Sequence, residues 1–365
     1  SKRPCLTDLE NAINYNEIYA QLMLLSLCIY TPSNYIFPSK IQKYAEQTHN
    51  KGENLTQTGR EQGIRRLMSI NLLKRLESSV HSFQLTLTRI KGLIDSTIEA
   101  INRFEKYGTA DITMYEAQES EFDMDDSNTD YFSVGKKVKI DLADMDYKTW
   151  RTELQQDAEV LELLTLMVAD ITPEHDSKLQ ELLTLLSRKI ENPINPDNKK
   201  VIIFSAFSDT AEYLYENVST FVKKKYGLDT AVITGDIDGK TTIKEFKATL
   251  NNVLTCFSPK SKGRDVLMPN SKVEIDILIA TDCISEGQNL QDCDYLINYD
   301  IHWNPVRIIQ RFGRIDRIGS TNNYIQLVNF WPDLTLDDYI NLKSRVETRM
   351  KITAVSYTHL TLPTN

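Results

Sequence analysis

Val201-Ile202-Ile203-Phe204-Ser205-Ala206-Phe207-Ser208-Asp209-Thr210 passes from an unbroken apolar run, through small hydroxyl residues, into a stretch of helical period over 208–225. Consecutive β-branched and aromatic residues bounded by serine read as a strand buried on both faces. Ser208 or Asp209 is the expected N-cap of the helix that follows. The same grammar recurs downstream. Ala231-Val232-Ile233 reads as a second strand, followed by Thr234-Gly235-Asp236 and an expected helix to about residue 250. Ile275 to Ala280, Tyr295-Leu296-Ile297 and Tyr324 to Val328 read as the third, fourth and fifth strands. Apolar strands alternating with helices predict an α/β fold, a parallel sheet with helices on both faces. Ligands of such sheets sit at the carboxyl ends of the strands.

Upstream the chain reads as all-helical. Residues 8–30 are apolar with helical period and end at Thr31-Pro32. Residues 59–106 form the longest helical stretch, in which Leu67, Ile70, Leu73, Leu76, Val80, Phe83, Leu87 and Ile90 recur at three- and four-residue steps. That spacing makes a core-facing stripe. Arg60, Arg65, Arg66, Lys74, Arg75 and Arg89 surround it, either as a solvated face or as a face for nucleic acid or a partner. Between Tyr107 and Lys136 there are eight acidic residues and no Lys or Arg, the pattern of an acidic linker or insertion. Residues 150–169 and 174–190 read as two further helices. The expected organisation is a helical region at 1–107, an acidic linker at 108–148, an α/β lobe at 149–353 and a tail at 354–365. The tail has no charged side chain and reads as either disordered or non-native, like translated adapter sequence.

The length of 365 residues suffices for two domains with their own cores. Hydrophobic content of 41% and charged content of 25% are those of a globular protein. A net charge of −9 excludes a generally basic nucleic-acid binder but not a locally basic cleft. No apolar run is long enough to span a bilayer, so no membrane association is expected. The N-terminus lacks a signal-peptide core, and the first residue is not Met, which fits a fragment or a processed chain. A cytoplasmic location is expected. Cys5, Cys28, Cys256, Cys283 and Cys293 form no C-x-x-C pair, so reduced thiols and no metal site are expected. His49, His81 and His175 are isolated and read as structural.

Two further segments carry chemistry. In Ile279-Ala280-Thr281-Asp282-Cys283-Ile284-Ser285-Glu286-Gly287-Gln288-Asn289-Leu290, a strand ends in Thr-Asp ahead of a glycine. The Thr281 hydroxyl suits a phosphate, Asp282 a helix end or an arginine, and Gly287 close approach of a nucleotide. Residues 304–320 place Arg307, Arg311, Arg314 and Arg317 in an otherwise acidic chain. On one continuous helix Gln310, Arg314 and Arg317 share a face, and such guanidinium forks suit phosphate oxygens. The plainer reading is a basic helix paired with carboxylates. The loop Pro259-Lys260-Ser261-Lys262-Gly263-Arg264 fits either a nucleic-acid backbone or solvent.

In this order, with His302-Trp303-Asn304-Pro305 ahead of the arginines, the run from Val201 to Ser320 resembles the C-terminal RecA-like lobe of superfamily-two helicases. The Trp-Asn-Pro element resembles the Swi/Snf-type branch. The Gln-Arg-Phe-Gly-Arg-Ile-Asp-Arg-Ile-Gly run resembles the bacterial, RNA-polymerase-associated DEAD/DEAH group and its phage and defence relatives. Residues 60–107 resemble the helical insertion ahead of that lobe. The resemblance implies that Arg314 and Arg317 are arginine fingers to ATP, with Gln310 beside the nucleotide. It implies that Glu286 and Gly287 lie near the ribose and that Asp282 couples the two sites. Ser205, Thr234, Gly235 and Thr281 would then touch the nucleic-acid backbone. Where the family favours Gly-Gln, this chain has Gly319-Ser320.

No G-x-x-x-x-G-K-S/T pattern and no paired-acid motif after a strand occurs. The lysine and the acids that hold Mg²⁺ are therefore expected on an N-terminal RecA-like lobe absent from this chain. The expected function is the second motor lobe of an ATP-dependent DNA helicase or translocase, inactive alone. Its expected partners are duplex DNA and RNA polymerase or another protein–DNA complex. A non-catalytic nucleic-acid-binding or regulatory lobe is the alternative, and an RNA helicase or restriction motor a third reading.

Overall fold

A computed structural model describes residues 6–9, 14–48, 57–108, 111–113, 139–235, 239–284, 288–301, 305–316 and 320–331. Most of the acidic segment, the tail, and Glu286, Gly287, Trp303, Asn304 and Arg317 lie outside the described residues. The chain divides into two compact units, Leu9–Thr172 and Pro173–Asn365 together with Ser1–Asp8. Among the described residues no helix is long and apolar enough to cross a membrane.

The first unit is helical. It comprises α1 (Tyr15–Leu22), α2 (Ile41–Thr48), α3 (Gln57–Ser78), α4 (Val80–Tyr107) and α5 (Tyr147–Met167), with a short antiparallel pair, β1 (Asp111–Thr113) and β2 (Lys139–Asp141). The long stretch at 59–106 is two helices. Ser79 leaves helical geometry at φ −156°, ψ 148°, and its side chain accepts from Ser82 N at 3.0 Å, starting α4 afresh. The α4 stripe Phe83, Leu87, Ile90, Ile94 and Ile101 is fully buried. α5 packs on α4 and buries Trp150, Leu154, Leu161 and Leu164. The sequence reading began the α/β lobe at 149, whereas the compact units divide at 172/173.

The helix expected at 8–30 is cut short after Leu22. Asp157, 2% exposed on α5, accepts from Ser26 N at 2.8 Å, Ser26 Oγ at 2.9 Å and Cys28 N at 3.0 Å. The two amides would have closed helical turns. Leu27 between them takes left-handed geometry at φ 51°, which favours glycine and costs a leucine about 1–2 kcal/mol. Three donors on one buried carboxylate offset that cost.

The second unit is the α/β fold expected from the sequence. It comprises α6 (Ser177–Glu191), β3 (Val201–Phe204), α7 (Ser208–Tyr226), β4 (Thr230–Ile233), β5 (Lys240–Thr241), α8 (Leu250–Phe257), α9 (Pro259–Lys262), α10 (Arg264–Leu267), β6 (Ile277–Ala280), β7 (Tyr295–Asn298), α11 (Pro305–Phe312) and β8 (Gln326–Asn329). The strands run in the order β5-β4-β6-β3-β7-β8, parallel except for β5 against β4. Alternate residues of β3 face opposite ways. Val201 and Ile203 pack with Leu182 and Leu186 of α6 and Leu214 and Val218 of α7. Ile202 and Phe204 pack with Val253, Leu254 and Phe257 of α8. Both faces are thus apolar, so the strand reads as a continuous run rather than an alternating one.

Two local expectations change. The N-cap of α7 is Phe207, and Ser208 and Asp209 are already helical. In place of a helix, residues 239–249 form edge strand β5 and turns, and Thr249 caps α8 by accepting from Asn252 N. A Cβ on Gly239, at the entry to β5, would lie 2.3 Å from the Ala248 carbonyl oxygen, so only glycine fits there.

At the amino ends of the strands, Lys189 Nζ meets Asp294 at 2.6 Å with both side chains fully buried. Asn195 donates to the other Asp294 oxygen and to Tyr324 O at 2.8 Å, and accepts from Asn323 N and Tyr324 N. This cluster binds α6 to the approach of β8. Asp176 caps α6 through Leu179 N and accepts from Tyr213 Oη at 2.9 Å.

Asp157→Asn should lower the stability of the helical unit by about 2–4 kcal/mol, since buried donors lose their charged acceptor; urea unfolding followed by circular dichroism measures it. Asp144 accepts from Lys43 Nζ at 2.6 Å and Tyr44 Oη at 2.7 Å. Those bonds hold its carboxyl at about 2, below the ordinary 3.8. A depressed carboxyl stabilises the fold fully above its unfolded value and loses that contribution as pH falls through the folded one. Wild type should therefore lose more stability than Asp144→Asn between about pH 4 and pH 2. Parallel acid unfolding curves would exclude this role.

Candidate functional site

The candidate residues converge at the carboxyl ends of the strands. Phe204, Ala280 and Ile233 are register partners, and so are Phe204 and Asn298. The next residues, Thr234, Thr281, Ser205 and Tyr299, therefore follow one another along the β4-β6-β3-β7 edge. The ladder continues one step past the strands: Ser205 N donates to Ala280 O, Thr281 N to Ile233 O and Tyr299 N to Phe204 O. Gly235 is exposed, and a Cβ there would come within 3.5 Å of Cys283 Cβ.

The hydroxyls at this edge differ in their availability. Ser205 is fully buried and donates to Asp300 Oδ2 at 2.6 Å, so its side chain faces the protein. Thr281 and Thr234 are 7% and 8% exposed. The buried Thr234 Oγ1 has no hydrogen-bond partner among the described residues. A buried hydroxyl left so is unfavourable unless something else bonds it.

The centre of the site is Arg311, whose side chain is fully buried. Its Nε donates to Asp282 Oδ1 at 2.7 Å and its Nη2 to Asp282 Oδ2 at 2.5 Å. Nη1 donates to Asn298 Oδ1 at 3.0 Å and Asp300 O at 3.3 Å, and the guanidinium lies 5.0 Å from the Phe204 ring centroid. Asn298 in turn donates to Asn329 Oδ1 at 2.8 Å. One planar cation thus ties α11 to the ends of β3, β6 and β7, and through Asn298 to β8. The bidentate fork needs arginine, since a lysine ammonium cannot present parallel donors. The sequence reading gave Arg311 no role. Its signal was the spacing of Ile308, Arg311 and Ile315, in which both isoleucines are fully buried.

The helix expected to carry Gln310 and Arg314 on one face does not continue from one to the other. α11 ends at Phe312, and Arg314 lies in the turn that follows. Arg314 N donates to Arg311 O and Ile315 N to Phe312 O, three-residue closures that redirect the chain so that Ile315 enters the core. Arg314 is 3% exposed, and its carbonyl accepts from Leu290 N at 3.0 Å. Gln310 stays on α11, half-buried. Glu286, Gly287 and Arg317 lie outside the described residues.

The basic loop at 259–264 forms α9 and the start of α10, and Asp292 accepts from the first amides of α9, Lys260 N and Ser261 N. Gly239-Lys240-Thr241, whose residue types suit a phosphate-binding turn, opens an edge strand, and Lys240 pairs with Glu212 at 2.5 Å. It heads no helix, so it does not build a helix-terminus phosphate cradle. Among the described residues no cluster of His, Cys, Asp and Glu could hold a metal ion.

Arg311→Ala should cost about 3–5 kcal/mol, because it strands the Asp282 charge. Arg311→Lys keeps the charge but loses the fork, and should recover no more than about half of that loss. Calorimetric unfolding separates the cases, and a loss below about 1 kcal/mol for Ala would exclude Arg311 as the clamp.

Residues 177–319 match the family described as helicase conserved C-terminal domain. The uncharacterized ATP-dependent helicase YqhH of Bacillus subtilis (strain 168) is 30% identical over 145 residues, covering 36% of this chain and 26% of the relative. The mitochondrial ATP-dependent RNA helicase MRH4 of Kluyveromyces lactis is 28% identical over 179 residues, covering 43% and 30%. The putative ATP-dependent DNA helicase fml2 of Schizosaccharomyces pombe is 28% identical over 162 residues, covering 41% and 17%. The chain spans less than a third of the length of each. Across 177–319 the chain is thus similar to the helicase conserved C-terminal domain, and the segment so matched carries a mostly parallel sheet with the candidate residues at its carboxyl ends.

Proposed function

We propose that the chain provides the second motor lobe of an ATP-dependent translocase acting on duplex DNA, of the Swi/Snf-type bacterial branch. In this reading Arg314 and Arg317 meet the ATP γ-phosphate and Gln310, Glu286 and Gly287 lie beside the nucleotide. Thr234, Gly235, Thr281 and the turn at Ser205 meet nucleic-acid phosphates, and Asp282 couples the two sets. The observation that carries it is the Arg311–Asp282 fork, because one bidentate ion pair joins the arginine segment to the turn that follows β6. A displacement on either side is then transmitted rather than absorbed. Charge on the γ-phosphate spreads in the transition state, which is where arginines act. The phosphate cradle and the Mg²⁺ ligands belong to a first lobe, so closure of two lobes gates hydrolysis. The protein would act in the cytoplasm, on RNA polymerase or another protein–DNA complex. That last step rests on the sequence resemblance of the arginine segment.

RNA is the second reading, favoured by the similarity to an enzyme described as an RNA helicase. Joined to a first lobe, the protein should hydrolyse ATP with stimulation by duplex DNA, and Arg314→Ala or Arg317→Ala should lower turnover by up to about 10³–10⁵. The present chain alone should show no turnover. Turnover indifferent to both arginines would favour the non-catalytic binding module, and stimulation by RNA but not DNA would favour the second reading.

A further inference from the structure

Asp300 stands two residues past β7 and is 7% exposed, and no sequence motif marks it as part of the site. Its Oδ2 accepts from Ser205 Oγ at 2.6 Å and from Ala206 N at 3.1 Å. Its Oδ1 meets Lys178 Nζ at 3.2 Å, and that ammonium lies 4.1 Å from the Tyr299 ring centroid. Its backbone carbonyl accepts from Arg311 Nη1 at 3.3 Å. A carboxylate this well buried is stable only where donors surround it, and both its oxygens have them.

The consequence falls on the β3–α7 turn. Ser205 Oγ, held by Asp300, also accepts from Phe207 N at 3.2 Å. Ser205 and Ala206 are therefore fixed by a group on another strand, and with them the direction in which α7, of 19 residues, begins. A helix start binds phosphate well only when it is already oriented, because ordering it on binding subtracts from affinity. A bare carboxylate would repel a phosphate, but here its charge is shared among Lys178, an amide and a hydroxyl, next to the Arg311 cation.

We propose that Asp300 is a positioning residue for nucleic-acid binding: it fixes the Ser205–Ala206 turn in the shape that meets a backbone phosphate, and joins that turn to Arg311. This rests on reading the strand ends as a nucleic-acid surface. Two variants test it in the whole chain. Asp300→Asn keeps shape and removes charge. Ser205→Ala removes the hydroxyl and leaves Asp300 with Lys178 and Arg311, and it carries the test alone if Asp300→Asn fails to fold. Amide hydrogen exchange reads the turn, and fluorescence anisotropy with a short labelled DNA duplex over a salt series reads the grip.

Exchange at 206–208 should quicken about tenfold or more, the factor for one charge-assisted hydrogen bond, while β3 and β6 stay protected. Affinity should fall about tenfold with an unchanged salt slope, because no phosphate-neutralising cation is removed. Exchange within about twofold of wild type in the folded variants would overturn the assignment. A loosened turn with undiminished DNA affinity would overturn its link to binding. A loosened turn in a chain whose wild type binds no duplex would support the positioning role and overturn the nucleic-acid reading instead.

Discussion

The α/β unit is organised around one buried cation. Arg311 enters the core as a charge fully removed from solvent, and it does so because Asp282, Asn298 and the Asp300 carbonyl wait for it at the ends of β6 and β7. Burying an unpaired guanidinium would cost far more than a domain's net stability. The pair is tolerable only with its full set of acceptors, so the strand ends and α11 must adopt their native arrangement together. That requirement converts a chemical pairing into a geometric one. The turn after β6, the end of β7 and the start of the arginine helix have one mutual arrangement that satisfies all donors.

Such an arrangement suits a module that passes force. A hydrophobic contact between α11 and the sheet would hold the elements together but allow sliding, because apolar contact has no preferred direction. A bidentate fork has a plane and a length. The fork joins α11 to the turn after β6, and the Asp300 cluster extends it to the turn before α7. The chain's net charge of −9 is compatible with this design, since the cations that matter are few and fixed by local partners.

What the sequence revealed follows from where its signals are strong. β3, β4, β6 and β7 were legible because strands buried on both faces are largely apolar, and Val201–Phe204 or Ile277–Ala280 have no other use. Element ends were not legible where a distant group decides them. Asp157 ends the first helix from a position more than a hundred residues away, and Ser79 splits α3 from α4 by a cap that reads locally like any polar residue. The arginines stand out as a group, but periodicity assigns Gln310 and Arg314 to one face as if the helix ran on past Phe312. Ile315 shows why it does not: the core takes this side chain and the backbone turns to deliver it. Arg311 was overlooked because pattern reading counts arginine as solvent-facing, and its acceptors come from strands far apart in sequence. Ser205 and Thr234 look alike as hydroxyls after strands, yet only the folded chain distinguishes the one engaged by Asp300 from the one on a buried edge.

The Lys189–Asp294 pair bears on how such a lobe can be moved between proteins. Asp294 introduces β7 from inside the sheet, and its counter-ion comes from a helix that precedes the first strand of that sheet. Recombination that joined a new partner at Val201 would keep every strand and still leave an acidic group in the core with no cation, whereas a junction ahead of the Asp176 cap carries the counter-ion along. Inheritance as a unit is therefore imposed by charge balance, and α6 travels with a sheet to which it contributes no strand.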